Sequence, residues 1–530
     1  MLRRFARDRS GNFAIISAIA AAPLIFAVGL GLEYSDISAE KAKLQSALDS
    51  ASLAVAREGI KLSNDMAYKI ADEYVRSNFT GDIKSVAVNR TGYSVAVSAT
   101  TEKKLAFGTI MGNETWKIVG QSVAEYAPAQ YELSLVLDTT GSMEGAKLAA
   151  MKAAVNTLID ALSVQVTNKS ALKVGVVPYA TFVNVGPQYG PQFDENGKVV
   201  NGTGADWLDT KGLLKYPQQD LAADVNRFEL YHALGFKWPG CVETRMDTPG
   251  KSYALTDEQA RSTVSASLFA PTFAIDEPDD TWPNGFPKYP NNYIKSAVKF
   301  TDPITTKMAR YGIARVAGQW TRDLSLPLSL DTSPSIFYSN ESDPKGPGYG
   351  CETEPLLPLT SDLNKVKSKV SVLKANGSTN ITEGVLWGWR TLSDREPFSE
   401  GSASNHGSRK IMIVLTDGTN SYGVLNNDLK SGYTSTGYLD DNRLGPKVSG
   451  TVDATTLAMN AQTLTACTNA KNDGVEIFTI RLEEPNMATG TLLQSCASGN
   501  DHFFDSPNHD QLESIFKEIK DKLVTVRLAS

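Results

Sequence analysis

Asp138, Thr140 and Ser142 stand at alternate positions in Asp138-Thr139-Thr140-Gly141-Ser142-Met143. The spacing Asp-x-Thr-x-Ser offers three hard oxygen donors from one tight turn. Such a set suits Mg2+, or another divalent cation such as Mn2+ or Ca2+. The same residue types are good helix N-caps, so the hexapeptide alone reads as either a metal loop or a capping turn. Two distant loops carry donors of the same kind: Thr379 in Gly377-Ser378-Thr379-Asn380-Ile381-Thr382, and Asp417 in Leu415-Thr416-Asp417-Gly418. Two carboxylates and three hydroxyls do not fill an octahedral shell. Mg2+ tolerates this because it keeps several waters, and the open position suits a partner's carboxylate. Thr382 and Thr416 read as supports that cap a helix or brace a loop.

The elements around these loops alternate between buried strands and amphipathic helices. Residues 131–137 are an apolar strand running into Asp138, and 144–162 a helix with Leu148, Met151, Val155, Leu158, Ile159 and Leu162 on one face. Residues 173–177 form a second strand, ended by Pro178. Further on, helices are expected at 361–373, 383–392, 454–473 and 509–528, and strands at 411–415 and 475–480. This order predicts an α/β domain with a doubly wound, mostly parallel sheet. Ligands bind such sheets at the carboxyl ends of the strands, where the three loops converge.

At 530 residues the chain is long enough for several domains, and 41% hydrophobic residues supply a sizeable core. A net charge of −7 argues against nucleic acid as a partner. Cys241, Cys351, Cys467 and Cys496 show no CxxC spacing, and the four histidines are scattered, so a Cys/His zinc centre has no support. The even count suits two disulfides in an oxidising compartment, with four buried thiols as the alternative. Residues 13–32 are an apolar run about 30 Å long as a helix, enough to cross a bilayer. Arg3, Arg4, Arg7 and Arg9 precede it, and Glu33 and Asp36 follow. The positive-inside rule therefore keeps the amino end cytoplasmic and exports the remainder. A cleaved signal peptide is the competing reading, but apolar residues continue well past Ala20-Ala21-Ala22.

These features divide the chain into a basic tip and transmembrane helix (1–34), an α+β stalk (35–127), the α/β domain (130–186 with 357–530) and an inserted subdomain (187–356). In the stalk, helical periodicity runs from 35 to 77 without a proline, and a hairpin is expected over 84–100 around Asn89-Arg90-Thr91-Gly92. A strand follows at 116–126, and Ala127-Pro128-Ala129 is the linker. The insertion is rich in Pro, Gly and aromatic residues and holds Cys241 and Cys351. A bridge between those two closes a loop worth about 4–5 kcal/mol in the chain-entropy model.

The five donors resemble the metal-ion-dependent adhesion site of von Willebrand factor type A domains, whose pattern is Asp-x-Ser-x-Ser with a distant Thr and a distant Asp. Thr140 departs from the usual Ser and keeps the hydroxyl. The resemblance implies a Rossmann-like von Willebrand factor A fold. It also implies that Asp138, Thr140 and Ser142 contact the metal, with Thr379 and Asp417 doing so directly or through water. Residues 4–14 and Leu44-Gln45-Ser46-Ala47-Leu48-Asp49-Ser50-Ala51 resemble the amino-terminal segment of TadE/TadG-like Flp pilus-assembly proteins. Val177-Pro178-Tyr179, Cys241-Val242-Glu243-Thr244-Arg245, Pro358-Leu359-Thr360-Ser361-Asp362, Trp387-Gly388-Trp389-Arg390 and Phe503-Phe504 resemble TadG-like proteins that carry this domain. Prepilin-type cleavage is not expected, because Ile16 stands five residues after Gly11 where a glutamate is needed.

The resemblance implies a binding protein of the bacterial inner membrane, single-pass, with its bulk periplasmic or surface-exposed. Its metal would bind an Asp or Glu on a pilus or envelope partner. The alternatives are a metal-dependent hydrolase, for which His232, His406, His502 and His509 all lie outside the three loops, and a structural tether whose metal site has lost its role.

Overall fold

The computed structural model describes residues 10–530 apart from 59–61, 92–93, 107–111, 113, 126–129, 166–170, 215–217, 219, 249–251, 327, 332, 334–343, 404–407, 446–447, 525–527 and 530. The basic tip at 1–9, Gly92 of the hairpin turn, the linker Ala127–Ala129 and His406 lie outside the described residues. The chain forms two compact units, Met1–Ala129 with Val524–Ser530, and Gln130–Leu523.

In the first unit α1 (Ser10–Arg57) is a single helix of 48 residues with Pro23 inside it. Its apolar upper part is uncovered, with Ile19, Leu24, Ile25 and Val28 all more than 60% exposed. Among the described residues it is the one helix long and apolar enough to cross a membrane. Its lower part changes role. Leu44, Leu48, Ala51 and Val55 are buried with Ala67, Ala71 and Val75 of α2 (Asn64–Asn78). The uninterrupted helix expected over 35–77 is therefore two helices, because Ser63 accepts from Met66 N and starts α2 afresh. Strands β1 (Ile83–Thr91), β2 (Ser94–Lys104) and β3 (Thr115–Glu125) form an antiparallel meander whose Val95, Val97 and Ala99 complete this core.

The second unit is built on β4 (Gln130–Asp138), α3 (Ala146–Gln165) and β5 (Leu172–Tyr179). Strand β5 runs through Pro178, which was expected to end it. The neighbouring strand pairs with β5 only as far as Val176, so the missing N–H at 178 leaves no ladder bond broken on that side. The described residues of 187–356 form short elements: α4 (Arg227–Ala233), β6 (Met246–Thr248), β7 (Ser252–Tyr253), α5 (Ile304–Ala309), β8 (Ile313–Val316) and β9 (Gln319–Arg322). The chain then continues through β10 (Leu357–Thr360), α6 (Leu363–Val372), α7 (Ile381–Thr391), β11 (Ser408–Thr416) and α8 (Val452–Asn472). It closes with β12 (Val475–Leu482), α9 (Met487–Cys496), β13 (Phe503–Ser506) and α10 (Leu512–Val524).

The resulting sheet has six strands in the order β10-β5-β4-β11-β12-β13. All neighbours are parallel except the edge strand β10. This is the mixed α/β, mostly parallel sheet that the alternation of elements predicts. Helix α7 lies close over β4 because its two glycines carry no side chain there. A Cβ on Gly384 would fall 2.8 Å from Tyr179 and 2.9 Å from Val136, and one on Gly388 would strike Val136. The last strand, β14 (Leu528–Ala529), pairs with Val123 and Ala124 of β3. Leu528, expected as the end of the final helix, is instead in a strand of the first unit's sheet.

Described residues of 187–356 pack into the same apolar cluster as the sheet. Trp207, Phe228, Tyr231 and Phe269 share one apolar cluster with Val136, Trp387 and Val414 of the sheet layer. Glu243 pins the segment to the chain that follows β11. It is fully buried, accepts from Arg443 at 2.7 Å and Tyr433 at 2.6 Å, and pairs with Arg227 at 2.9 Å. Burial pushes this carboxyl up, but the two guanidiniums outweigh it and hold it down at about 2. Disulfides join Cys241 to Cys351 and Cys467 to Cys496.

Candidate metal centre

Strand β4 delivers Asp138 to the end of the sheet, where the chain turns sharply. The carboxylate is held on both oxygens. Oδ1 accepts from the Thr140 backbone N at 2.8 Å and from Thr140 Oγ1 at 2.6 Å. Oδ2 accepts from Thr416 Oγ1 at 2.7 Å and from Tyr179 OH at 3.4 Å. Thr140 Oγ1 then lies 3.0 Å from Ser142 Oγ, which donates to Asp417 Oδ1 at 2.6 Å. Asp138, Thr140, Ser142 and Asp417 therefore form one hydrogen-bonded run.

Thr379 adjoins it. A Cβ on Gly418 would meet Thr379 Oγ1 at 3.1 Å and Ser142 Oγ at 3.9 Å, so both hydroxyls border the same glycine. All five sequence-predicted donors are thus brought to the adjoining ends of β4 and β11. Three backbone bonds fix the loops: Gly141 N to Gly377 O at 3.1 Å, Asn376 N to Thr139 O at 2.8 Å, and Ser421 N to Thr379 O at 2.8 Å. Gly377 makes the turn at φ +80°, where a side chain is strained. Asn380 caps α7 by accepting from Glu383 N, and Asn420 Oδ1 accepts from Ile381 N. Thr382 bonds Thr463 and the Met459 carbonyl, and Thr416 braces Asp138 directly, so both are supports.

Asp138, Thr140, Thr379 and Asp417 are buried, whereas Ser142 is exposed, so the set opens to solvent at Ser142. Burial, and then the facing charge of Asp417, push the Asp138 carboxyl up to about 6 despite hydrogen bonds from Thr140 and Thr416. Each of the two carboxylates thus raises the cost of ionising the other. The donors fit a hard cation, because every candidate ligand is an oxygen. Among the described residues no group of three or more His, Cys, Asp or Glu is poised to hold a metal. Hydroxyls and water would therefore have to complete the shell.

Sequence reasoning missed Lys147. Its ammonium donates to Asp417 Oδ2 at 2.7 Å and lies 3.9 Å from Glu483. The signal was a lysine in the first turn of a helix, where the macrodipole disfavours positive charge and a facing anion must compensate. None of the described histidines bonds a residue of the run itself, although His509 holds Glu483, the carboxylate that also approaches Lys147. His502 meets Glu476 and Asp501, His509 meets Glu483, and His232 stacks on Phe193.

Residues 11–58 match the family model described as putative Flp pilus-assembly TadE/G-like. That stretch is most of α1, including its apolar part and the residues that enter the first unit's core. No curated protein matches the chain. Among solved structures, the pilus adhesin SpaC from Lactobacillus rhamnosus GG aligns at TM-score 0.32 and 11% identity, over 83% of this chain and 34% of that one. The chain therefore spans about a third of SpaC. The von Willebrand factor domain of the type V pili tip protein Mfa5 from Porphyromonas gingivalis aligns at TM-score 0.31 and 10% identity, over 75% of this chain and 96% of that one. The pilus adhesin RrgA from Streptococcus pneumoniae aligns at TM-score 0.33 and 10% identity, over 83% of this chain and 49% of that one.

Proposed function

We propose that this chain is a membrane-anchored, exported binding protein of a Tad/Flp pilus or related envelope system. Its second unit acts as a von Willebrand factor A domain, and a divalent ion, Mg2+ by hardness, grips an acidic side chain of a protein partner. The reading rests above all on the run of oxygens from Asp138 through Thr140 and Ser142 to Asp417, with Thr379 alongside. These five oxygens would hold the ion, and the side that opens at Ser142 would admit the partner's carboxylate.

The uncovered apolar part of α1 supports anchoring in the bacterial inner membrane, and the match at 11–58 supports a pilus-assembly setting. The arginines before the helix orient the amino end to the cytoplasm, so the two disulfides fall on the oxidising side. The role proposed is binding rather than catalysis, because among the described residues no histidine bonds the run of oxygens and the neighbouring amine, Lys147, is spent on Asp417.

The test is capture of envelope proteins by the full-length chain in detergent, with Mg2+ or with EDTA, comparing wild type with Asp417→Ala. Partners held by wild type in Mg2+ should be lost on chelation and on substitution. Retention of the same partners in every condition overturns the reading.

A further inference from the structure

The apolar part of α1 ends at Leu32, and Glu33 is the first charged residue after it. One end of the first unit's meander comes down to this level. Ala106 N, just past β2, donates to Glu33 Oε1. Lys103, near the end of β2, pairs with Asp36 at 3.1 Å and with Glu40 at 3.4 Å. Strand β3 then climbs beside α1 in the same direction. Trp116 stands opposite Lys103 across the ladder, at the level of Asp36 and Glu40. Further on, a Cβ on Gly120 would fall 2.7 Å from Leu48, and Ser122 Oγ lies 3.0 Å from Ser52 Oγ. Contacts advance along both elements together, so the start of β3 is the foot of the stalk.

Two large aromatic side chains are uncovered at this foot. Trp116 is 53% exposed, and Tyr34, in the turn of α1 that holds Glu33 and Asp36, is 74% exposed. Alternation puts Trp116 on the same face of β3 as Ile118 and Ala124, which are buried in the core with Leu44 and Leu48. From Leu32 to Asp36 the helix rises about 6 Å. The headgroup layer outside a hydrocarbon core of about 30 Å is roughly 5–7 Å thick. The two rings therefore stand at headgroup depth, where Trp and Tyr are favoured because the ring is apolar and its N–H or O–H stays wet. Charge does not lead this contact. Lys103 is spent on Asp36 and Glu40, and exposed Lys117 stands opposite exposed Glu102.

We propose that the Trp116 end of the meander is a second membrane contact, seated in the headgroup layer on the side to which the chain is exported, with Tyr34 of α1 at the same depth. The inference rests on the proposed anchoring by α1 and deepens it. A single helix leaves the stalk free to tilt about its exit point. A second contact holds it upright, because α1 and β3 then rise side by side from two points on one lipid surface.

The four native cysteines are paired, so one introduced cysteine takes a fluorescent label alone. The full-length chain is reconstituted in phosphatidylcholine vesicles that carry a nitroxide lipid, and quenching is read at Thr115→Cys, Thr91→Cys and Val28→Cys. Thr91 is level with Glu125 through Ser94. That level is ten residues along β3 from Thr115, or about 33 Å. A headgroup nitroxide should therefore quench Thr115→Cys at least about threefold more than Thr91→Cys. Most of that quenching should be lost with Trp116→Ala and kept with Trp116→Phe. An acyl-chain nitroxide should quench Val28→Cys, which lies in the uncovered apolar part of α1. Quenching at Val28→Cys with none at Thr115→Cys overturns the second contact and leaves the anchor standing. Equal quenching at Thr115→Cys and Thr91→Cys overturns it too, since the stalk would then lie flat. Thr115→Cys quenching that ignores Trp116→Ala overturns the part given to Trp116. No quenching at Val28→Cys overturns the anchor and the contact with it.

Discussion

Replacing Lys147 by methionine removes one charge beside the candidate metal centre and keeps most of the side chain's length. Asp417 has no exposed side-chain surface and Lys147 is 24% exposed, so the pair is largely dry. Losing one partner of a buried pair costs about 3–5 kcal/mol, and the partial exposure of Lys147 places its loss near the low end. Without a divalent ion, Lys147→Met should therefore lower the thermal midpoint by about 3–4 °C, at roughly 1 °C per kcal/mol for a unit as long as Gln130–Leu523. A divalent ion narrows the gap. In wild type it must compete with the ammonium for Asp417 Oδ2, a charge-assisted bond worth about 1.5–3 kcal/mol. Without that competitor Mg2+ should bind roughly tenfold or more tightly, adding about 1.4 kcal/mol of stabilisation at the same excess of ion. The assay is intrinsic-fluorescence melting in EDTA and across a Mg2+ titration, with calorimetry for the affinity. Equal midpoints for both proteins in EDTA refute the ion pair. A loss in EDTA that Mg2+ does not reduce at all keeps the ion pair and refutes the metal site.

Three further outcomes follow from particular contacts. The Cys241→Ala/Cys351→Ala double variant opens a loop of separation 110 and should lose about 4–5 kcal/mol in urea unfolding under oxidising conditions. Gly388→Ala drives a methyl group into Val136, should cost about 1–3 kcal/mol, and should weaken the Mg2+ response because α7 carries Thr379 at its head. Glu277 is buried and raised to about 8, mainly by desolvation. Its folded value lies above its unfolded one, so its contribution is present in full below about pH 4.3 and is lost as pH rises to 8. Glu277→Gln should match wild type near pH 4 and exceed it by a few kcal/mol near pH 8, read as melting midpoints at the two pH values.

The donors of the candidate centre were legible because their signals are local. Asp138, Thr140 and Ser142 share one turn after an apolar strand, and Thr379 and Asp417 lie in loops flanked by clear periodic elements. The parallel sheet followed from the same alternation, since a buried strand and an amphipathic helix each carry their period within a few residues. Local reading failed where a partner from elsewhere decides the outcome. The break between α1 and α2 hangs on the single cap at Ser63. Pro178 stays inside β5 because its edge neighbour stops pairing at Val176.

The insertion shows the limit most clearly. Its aromatic residues have no period, so nothing in the string says that Trp207 and Phe269 join the core under Trp387. By itself, the sequence determined which atoms are available for chemistry and which strands and helices carry them, because residue type and spacing are properties of short segments. Only the tertiary structure decided that Lys147 faces Asp417, that Trp116 stands level with Asp36 at the foot of the stalk, and that described residues of 187–356 pack into the sheet's own core. Those relations join positions up to hundreds of residues apart, where the energy lies in burial and charge pairing between segments rather than within any one of them.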